Sequence, residues 1–148
     1  MKSVFDPADN IEFISRIDKL SLASPALWGK MNVAQMLAHC QMPIKVSCGE
    51  LTIKGGLIGL LFGRMAKKKL VNEEPFEHNL PTFKEAKIKE TEGFEIEKEK
   101  LKKLVQRFAQ GPETITLKKH PFFGPLTKQE WDVLQSKHLD HHLRQFGV

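Results

Sequence analysis

The chain has 148 residues, 41% of them hydrophobic and 28% charged, a length and balance that suit one globular domain, 1–148, with a single buried core. Its formal charge of +5 arises from 23 Lys and Arg against 18 Asp and Glu. No aromatic–basic interleaving and no recognised nucleic-acid motif accompanies that charge, so the lysine runs at 67–69 and 98–103 read as solvated helix faces and no nucleic-acid partner is expected.

The opening MKSVFDPADN lacks the apolar stretch of a signal peptide. The most apolar run, Leu57 to Phe62, is far shorter than the roughly 20 residues that span a bilayer. A cytoplasmic protein without stable membrane insertion is therefore expected.

In chain order, the first helix opens at Asp6-Pro7, a capping acid followed by proline at the first helical position. Phe13, Ile17 and Leu20 line one face, with Ile14 beside them. The stretch 21–30, with Pro25 and Gly29, reads as a connection. A second helix begins at Asn32, paired with Gln35 three residues on as in a capping box. Val33, Met36, Leu37, Cys40 and Ile44 give it a buried stripe, and Pro43 predicts a break or bend one turn beyond His39. Cys40 lies mid-stripe, which makes it a core residue rather than a nucleophile partnered by His39. If one helix carries both Cys40 and Cys48 they are separated by about 12 Å of rise, too far to bridge, so free thiols are expected.

A third helix follows Gly55-Gly56 in LIGLLFGRMAKKKL. Its apolar residues surround more than one face, which suits burial on two sides, a homodimer contact or a membrane surface; core or dimer packing is the expectation. The connection from 71 to 93, with Pro75 and Pro81, is too long for a plain turn, and loops of that length often carry function. FKEAKIKE and ETITLKKH each alternate in part and predict a short strand pair. Between them Leu101, Leu104, Val105 and Phe108 form the apolar face of a helix stopped at Gly111-Pro112. The last helix opens on a capping box, Thr127 to Glu130. The sum is an all-α bundle.

Three of the six histidines fall in the last helix. At about 100° per residue, His138 and His142 lie roughly 20° either side of Trp131, at the centre of the apolar stripe; His141 flanks it at about −80° and Asp140 points away. An unsatisfied buried polar group costs roughly 1–3 kcal/mol. Ordinary hydrogen bonds near the end of the bundle would compensate two imidazoles there, and so would one divalent ion bound by histidines at i and i+4. A third ligand would come from elsewhere. His39, at the boundary of the second helix's stripe, is the best placed, whereas His78 and His120 sit in proline-containing loops suited to exposure or a loop hydrogen bond.

These residues, with the longer strings WGKMNVAQMLAHC, HPFFGPLTKQEW and KHLDHHLRQFGV in this order, resemble the DinB/YfiT-like superfamily of metal-binding four-helix proteins, and within it an uncharacterised bacterial branch. The resemblance spans most of the chain. It implies a four-helix bundle with His39, His138 and His142 as ligands to zinc or nickel and one coordination position open. It also matches Gln145 to a glutamine that commonly follows the last ligand by three positions. An Arg-Gly frequent in the family after that histidine is Leu143-Arg144 here. Relatives include thiol-dependent transferases, using bacillithiol or mycothiol, and a thiol-dependent isomerase.

The expected function is a metal-dependent enzyme acting on a small molecule, either a transferase using a low-molecular-weight thiol or a hydrolase. With no HExxH glutamate in the chain, a metal-bound hydroxide, His141 or a loop residue would have to take protons, and His141 and Gln145 are the neighbours expected to support the ligands. The alternative is a non-catalytic small-ligand-binding or stress-associated protein of the same fold. Homodimerisation through an apolar helix face is expected by analogy with the family.

Overall fold

The capping signals act as the sequence suggests. The structure, a computed structural model, describes residues 2–53, 67–69, 71, 72, 74–80, 82 and 86–148. Asp6 accepts from the amides of Ala8 and Asp9 and Pro7 opens α1 (Pro7–Lys19). Asn32 and Gln35 form a reciprocal capping box at the start of α2 (Val33–Ser47). Gly93 precedes α3 (Phe94–Phe108) without a side-chain cap. Thr127 and Glu130 make a second capping box at α4 (Lys128–Gln145). Each such cap satisfies backbone donors that the first helical turn leaves unpaired and is worth about 1 kcal/mol.

α1 and α2 each pack against both α3 and α4, so the four helices enclose one core. Phe13 and Ile17 of α1, Met36 and Leu37 of α2, Leu101 and Phe108 of α3, and Trp131, Leu139 and Leu143 of α4 are all buried in it. Burial of one such side chain stabilises by roughly 1.5–3 kcal/mol. Trp131 also satisfies its indole nitrogen, which donates to the Leu117 carbonyl at 2.9 Å.

Three expectations change. α2 runs through Pro43 to Ser47 without interruption; Gln135 of α4 donates to the Pro43 carbonyl at 3.0 Å, tying that part of α2 to its neighbour. A strand pair is present, but only the end of 113–120 takes part in it: residues 83–85 are outside the described residues, 86–90 contain no strand, and Lys119–His120 is a strand. Within 113–120 the amides of Thr116 and Leu117 both donate to the Ser47 carbonyl at 3.1 Å, so the end of α2 takes the donors a partner strand would need. The sheet is instead a small antiparallel pair, β1 (Lys119–His120) with β2 (Gly124–Pro125), in register His120↔Gly124. Finally, Asp140 does not simply face away; it bonds Arg16 of α1 at 2.8 Å.

The proposed third helix lies almost wholly outside the described residues; within it only 67–69 are described, and they are helical. Lys67 pairs with Glu130 at 2.7 Å and Lys102 with Asp18 at 2.8 Å, which fits lysines on solvated helix faces. Among the described residues no helix is long and apolar enough to cross a membrane.

Candidate metal centre

α2 and α4 bring three histidines together. His39 and His142 are buried and His138 is half-buried. One ring nitrogen from each lies within 4.8 Å of the others. The ring centroids are 5.0 Å (His39–His138), 4.7 Å (His39–His142) and 4.6 Å (His138–His142) apart. His138 and His142 reach the cluster because they lie one turn apart on α4, on the side that buries Leu139 and Leu143 beside them. His39 was expected at the edge of its helix's stripe; it is 5% exposed, and the backbone of Ala86 packs against its ring.

The tautomers of two rings follow from their partners. His39 Nδ1 lies 2.8 Å from the Ala86 carbonyl oxygen. A carbonyl only accepts, so Nδ1 carries the proton and Nε2 the lone pair. His142 Nδ1 lies 2.8 Å from Gln145 Oε1, and the Gln145 amide nitrogen donates to the Trp28 carbonyl at 2.6 Å. That second bond fixes the orientation of the amide, so Oε1 accepts from His142 Nδ1–H and His142 Nε2 is also a lone pair.

His138 Nε2 is 3.1 Å from His39 Nε2. Facing that lone pair, it must supply the proton, which leaves His138 Nδ1 as a buried nitrogen without a described partner. The cluster therefore holds one proton for three inward-facing imidazoles and one orphaned nitrogen. An orphan of this kind costs roughly 1–3 kcal/mol.

All three rings are held neutral. Burial lowers the His39 pKa. Burial, reinforced by the neighbouring imidazoles, drives that of His138 well below the usual histidine value. Burial, with His39 nearby, takes His142 down to about 3. Neutral imidazoles with hydrogen-bonded outer nitrogens are the form that coordinates a cation. Tetrahedral coordination at about 2.0–2.1 Å would set ring nitrogens roughly 3.4 Å apart, close to the 3.1 Å between His39 and His138. The donor set could hold a divalent ion, and imidazole nitrogens suit a transition metal rather than magnesium or calcium.

The cluster borders a cavity of about 510 Å³. His141, half-buried, lies on its wall with its ring 5.5 Å from that of Trp28 and 5.0 Å from that of His142. Burial, and then the nearby His78, lowers its pKa. His141 thus neighbours the three rings without joining them. His78 is exposed and stacks on Trp28 at 3.9 Å. His120, expected in an exposed loop or loop hydrogen bond, is buried and lines the same cavity. The long connection read as functional supplies Phe76, Asn79, Leu80 and Ala86 to the walls.

Sequence reasoning missed the backbone groups that fix the rings, the carbonyls of Trp28 and Ala86, because carbonyls leave no residue-type signal. It also missed Gly29. That residue has φ +81°, and a Cβ there would come within 2.6 Å of Gln145 Nε2. The glycine lets the 27–29 loop approach the glutamine closely, and the Leu27 amide donates to the Gln145 carbonyl at 2.8 Å.

The model of a family described as "Protein of unknown function (DUF1569)" matches residues 5–147. No curated protein and no solved structure matches the chain.

Proposed function

The chain belongs to the DUF1569 family, and from that premise we propose that it is a metal-dependent enzyme acting on a small molecule in the 510 Å³ cavity. The fold is a bundle of the DinB/YfiT-like type, and His39, His138 and His142 hold zinc or nickel. The observation that carries this reading is the pair of fixed tautomers, Ala86 oxygen on His39 and Gln145 oxygen on His142, which leave two Nε2 lone pairs beside a third, half-buried imidazole. A structural site would close its coordination with a fourth protein ligand; three histidines leave a position open, as catalytic sites do.

A zinc or nickel ion held there supplies Lewis acidity, lowering the pKa of a thiol or water that reaches the open position. The protein's own contribution is positional. Ala86 and Gln145 keep two rings neutral and oriented, and the apolar walls exclude bulk water. His141, on the cavity wall beside His142, is the side chain placed to exchange protons with a substrate. Transfer to or from a low-molecular-weight thiol is favoured over hydrolysis by the resemblance to thiol-dependent transferases.

The test is consumption of glutathione, cysteine, bacillithiol or mycothiol in the presence of small electrophiles, followed by thiol titration. The zinc- or nickel-loaded protein should consume one of these thiols. The chelated protein and His138→Ala should not. Equal rates in all three would contradict the enzymatic reading, and binding of a small molecule without turnover would favour a non-catalytic protein of the same fold.

A further inference from the structure

One wall of the cavity is made by the β1–β2 turn. His120, at the end of β1, accepts on Nδ1 from the backbone amides of Phe122 at 3.1 Å and Phe123 at 3.3 Å. Its ring stacks on that of Phe123, with centroids 4.2 Å apart, and lies 5.2 Å from that of Trp131. A ring nitrogen that accepts amide hydrogens carries the lone pair, so the proton of the neutral ring is on Nε2. Burial lowers the His120 pKa to about 4, so the ring stays a neutral donor at physiological pH. No described group accepts from Nε2, and the residue borders the cavity.

The charges around the cavity are one-sided. Its described lining includes Lys30 and Lys87 and no Asp or Glu. Both lysines are exposed, with no acidic partner among the described residues. The remaining wall is largely apolar, with Trp28, Met31, Leu80 and Ile88 among its residues. A ligand cation would find no carboxylate among the described lining residues, and burying an unpaired charge is costly. An anion would meet two ammonium groups and a fixed neutral N–H donor, and its apolar body would displace water from the aromatic and aliphatic walls.

We propose that the cavity takes a small apolar carboxylic acid, its carboxylate accepting from His120 Nε2–H in the positive field of Lys30 and Lys87. The inference rests on reading this cavity as the substrate chamber of the three-histidine centre. It assigns His120 to substrate recognition rather than to the metal.

Calorimetric titration of the metal-free protein with 4-phenylbutyrate and 4-phenylbutylamine tests it. The acid should bind at least about tenfold more tightly than the amine, the scale of one hydrogen bond to a charged group. His120→Asn keeps an acceptor where Nδ1 stood but has no Nε2–H; it should weaken acid binding about tenfold while the protein stays folded by circular dichroism. His120→Gln, whose amide nitrogen reaches the Nε2 position, should restore part of the affinity. The surface variant Lys30→Gln/Lys87→Gln should weaken acid binding, and added salt should shrink that difference. Absence of acid binding, equal affinity for acid and amine, or wild-type affinity in either His120→Asn or the double lysine variant overturns the proposal. Zinc binding by the same variants, measured after reloading with the ion, separates the two readings. Lost acid selectivity with intact zinc binding overturns recognition by His120 alone, and lost zinc binding with intact acid selectivity overturns the metal centre alone.

Discussion

Gln145 joins His142 to the loop before α2. Its Oε1 accepts from His142 Nδ1–H at 2.8 Å while its Nε2 donates to the Trp28 carbonyl at 2.6 Å. The amide cannot flip without placing two donors or two acceptors face to face, so a loop carbonyl sets the tautomer of a proposed ligand on α4. Replacing Gln145 with Leu should lower zinc affinity about 10–100-fold, the usual scale for loss of a ligand's outer hydrogen bond. Gln145→Glu, which retains an acceptor for His142, should bind zinc more tightly than Gln145→Leu. Competition with a chromogenic chelator measures both; unchanged affinity in Gln145→Leu would count against the relay.

Gly29 lies on the far side of the same amide. Gly29→Ala should cost about 1–3 kcal/mol for the left-handed backbone alone, and the added Cβ, 2.6 Å from Gln145 Nε2, should push the amide off His142. Urea denaturation and zinc affinity should both fall. Because Gln145→Ala removes the side chain the methyl group meets, the double variant should lose less stability than the sum of the two single variants.

The sign of the acid response follows from His120. Its pKa is about 4 in the folded protein against the ordinary histidine value of 6.5. Between those values the unfolded chain binds a proton that the folded ring refuses, so this contribution to stability is full above about pH 6.5 and is lost as the pH falls toward 4. In metal-free protein, His120→Asn should flatten the slope of unfolding free energy against pH near pH 5 by up to about 1.4 kcal/mol per pH unit. Denaturant titrations across that range measure it, and an unchanged slope would contradict the buried neutral ring.

The two cysteines should differ in reactivity. Cys40 is buried in the core, its pKa pushed well up by burial, and its sulfur lies 3.7 Å from that of Met36; Cys48 is half-buried. A thiol reagent should modify Cys48 in the native protein and Cys40 only after unfolding. Cys40→Ala should cost about 1 kcal/mol of packing and leave zinc content unchanged. Loss of metal in that variant would bring the thiol into the site.

Much of this was legible where the physics is local. Capping residues act within four positions, so Asp6, the Asn32–Gln35 pair and the Thr127–Glu130 pair mark their helix starts from sequence. Helical periodicity likewise put His138 and His142 on the side of α4 that meets α2. It failed where partners are distant backbone. Nothing in ETITLKKH reveals that Thr116 and Leu117 bond the Ser47 carbonyl instead of a strand. Asp140 was placed opposite the histidine stripe from its angle on one helix, and only the neighbouring helix supplies its partner there, Arg16. His39 looked like a rim residue because the segment that buries it, including Ala86, is remote in sequence. His120 was read for exposure or a loop hydrogen bond; it makes the loop bond, to the amides of Phe122 and Phe123, while its burial against Trp131 is tertiary.

The most direct measurement is the metal content of protein purified without a histidine tag, compared with His138→Ala/His142→Ala prepared alongside and checked for helicity by circular dichroism. Three neutral imidazoles, two of them with fixed tautomers, should hold about one zinc or nickel ion per chain, and the double variant should hold almost none. Equal metal in the two proteins, with both folded, would contradict the metal centre.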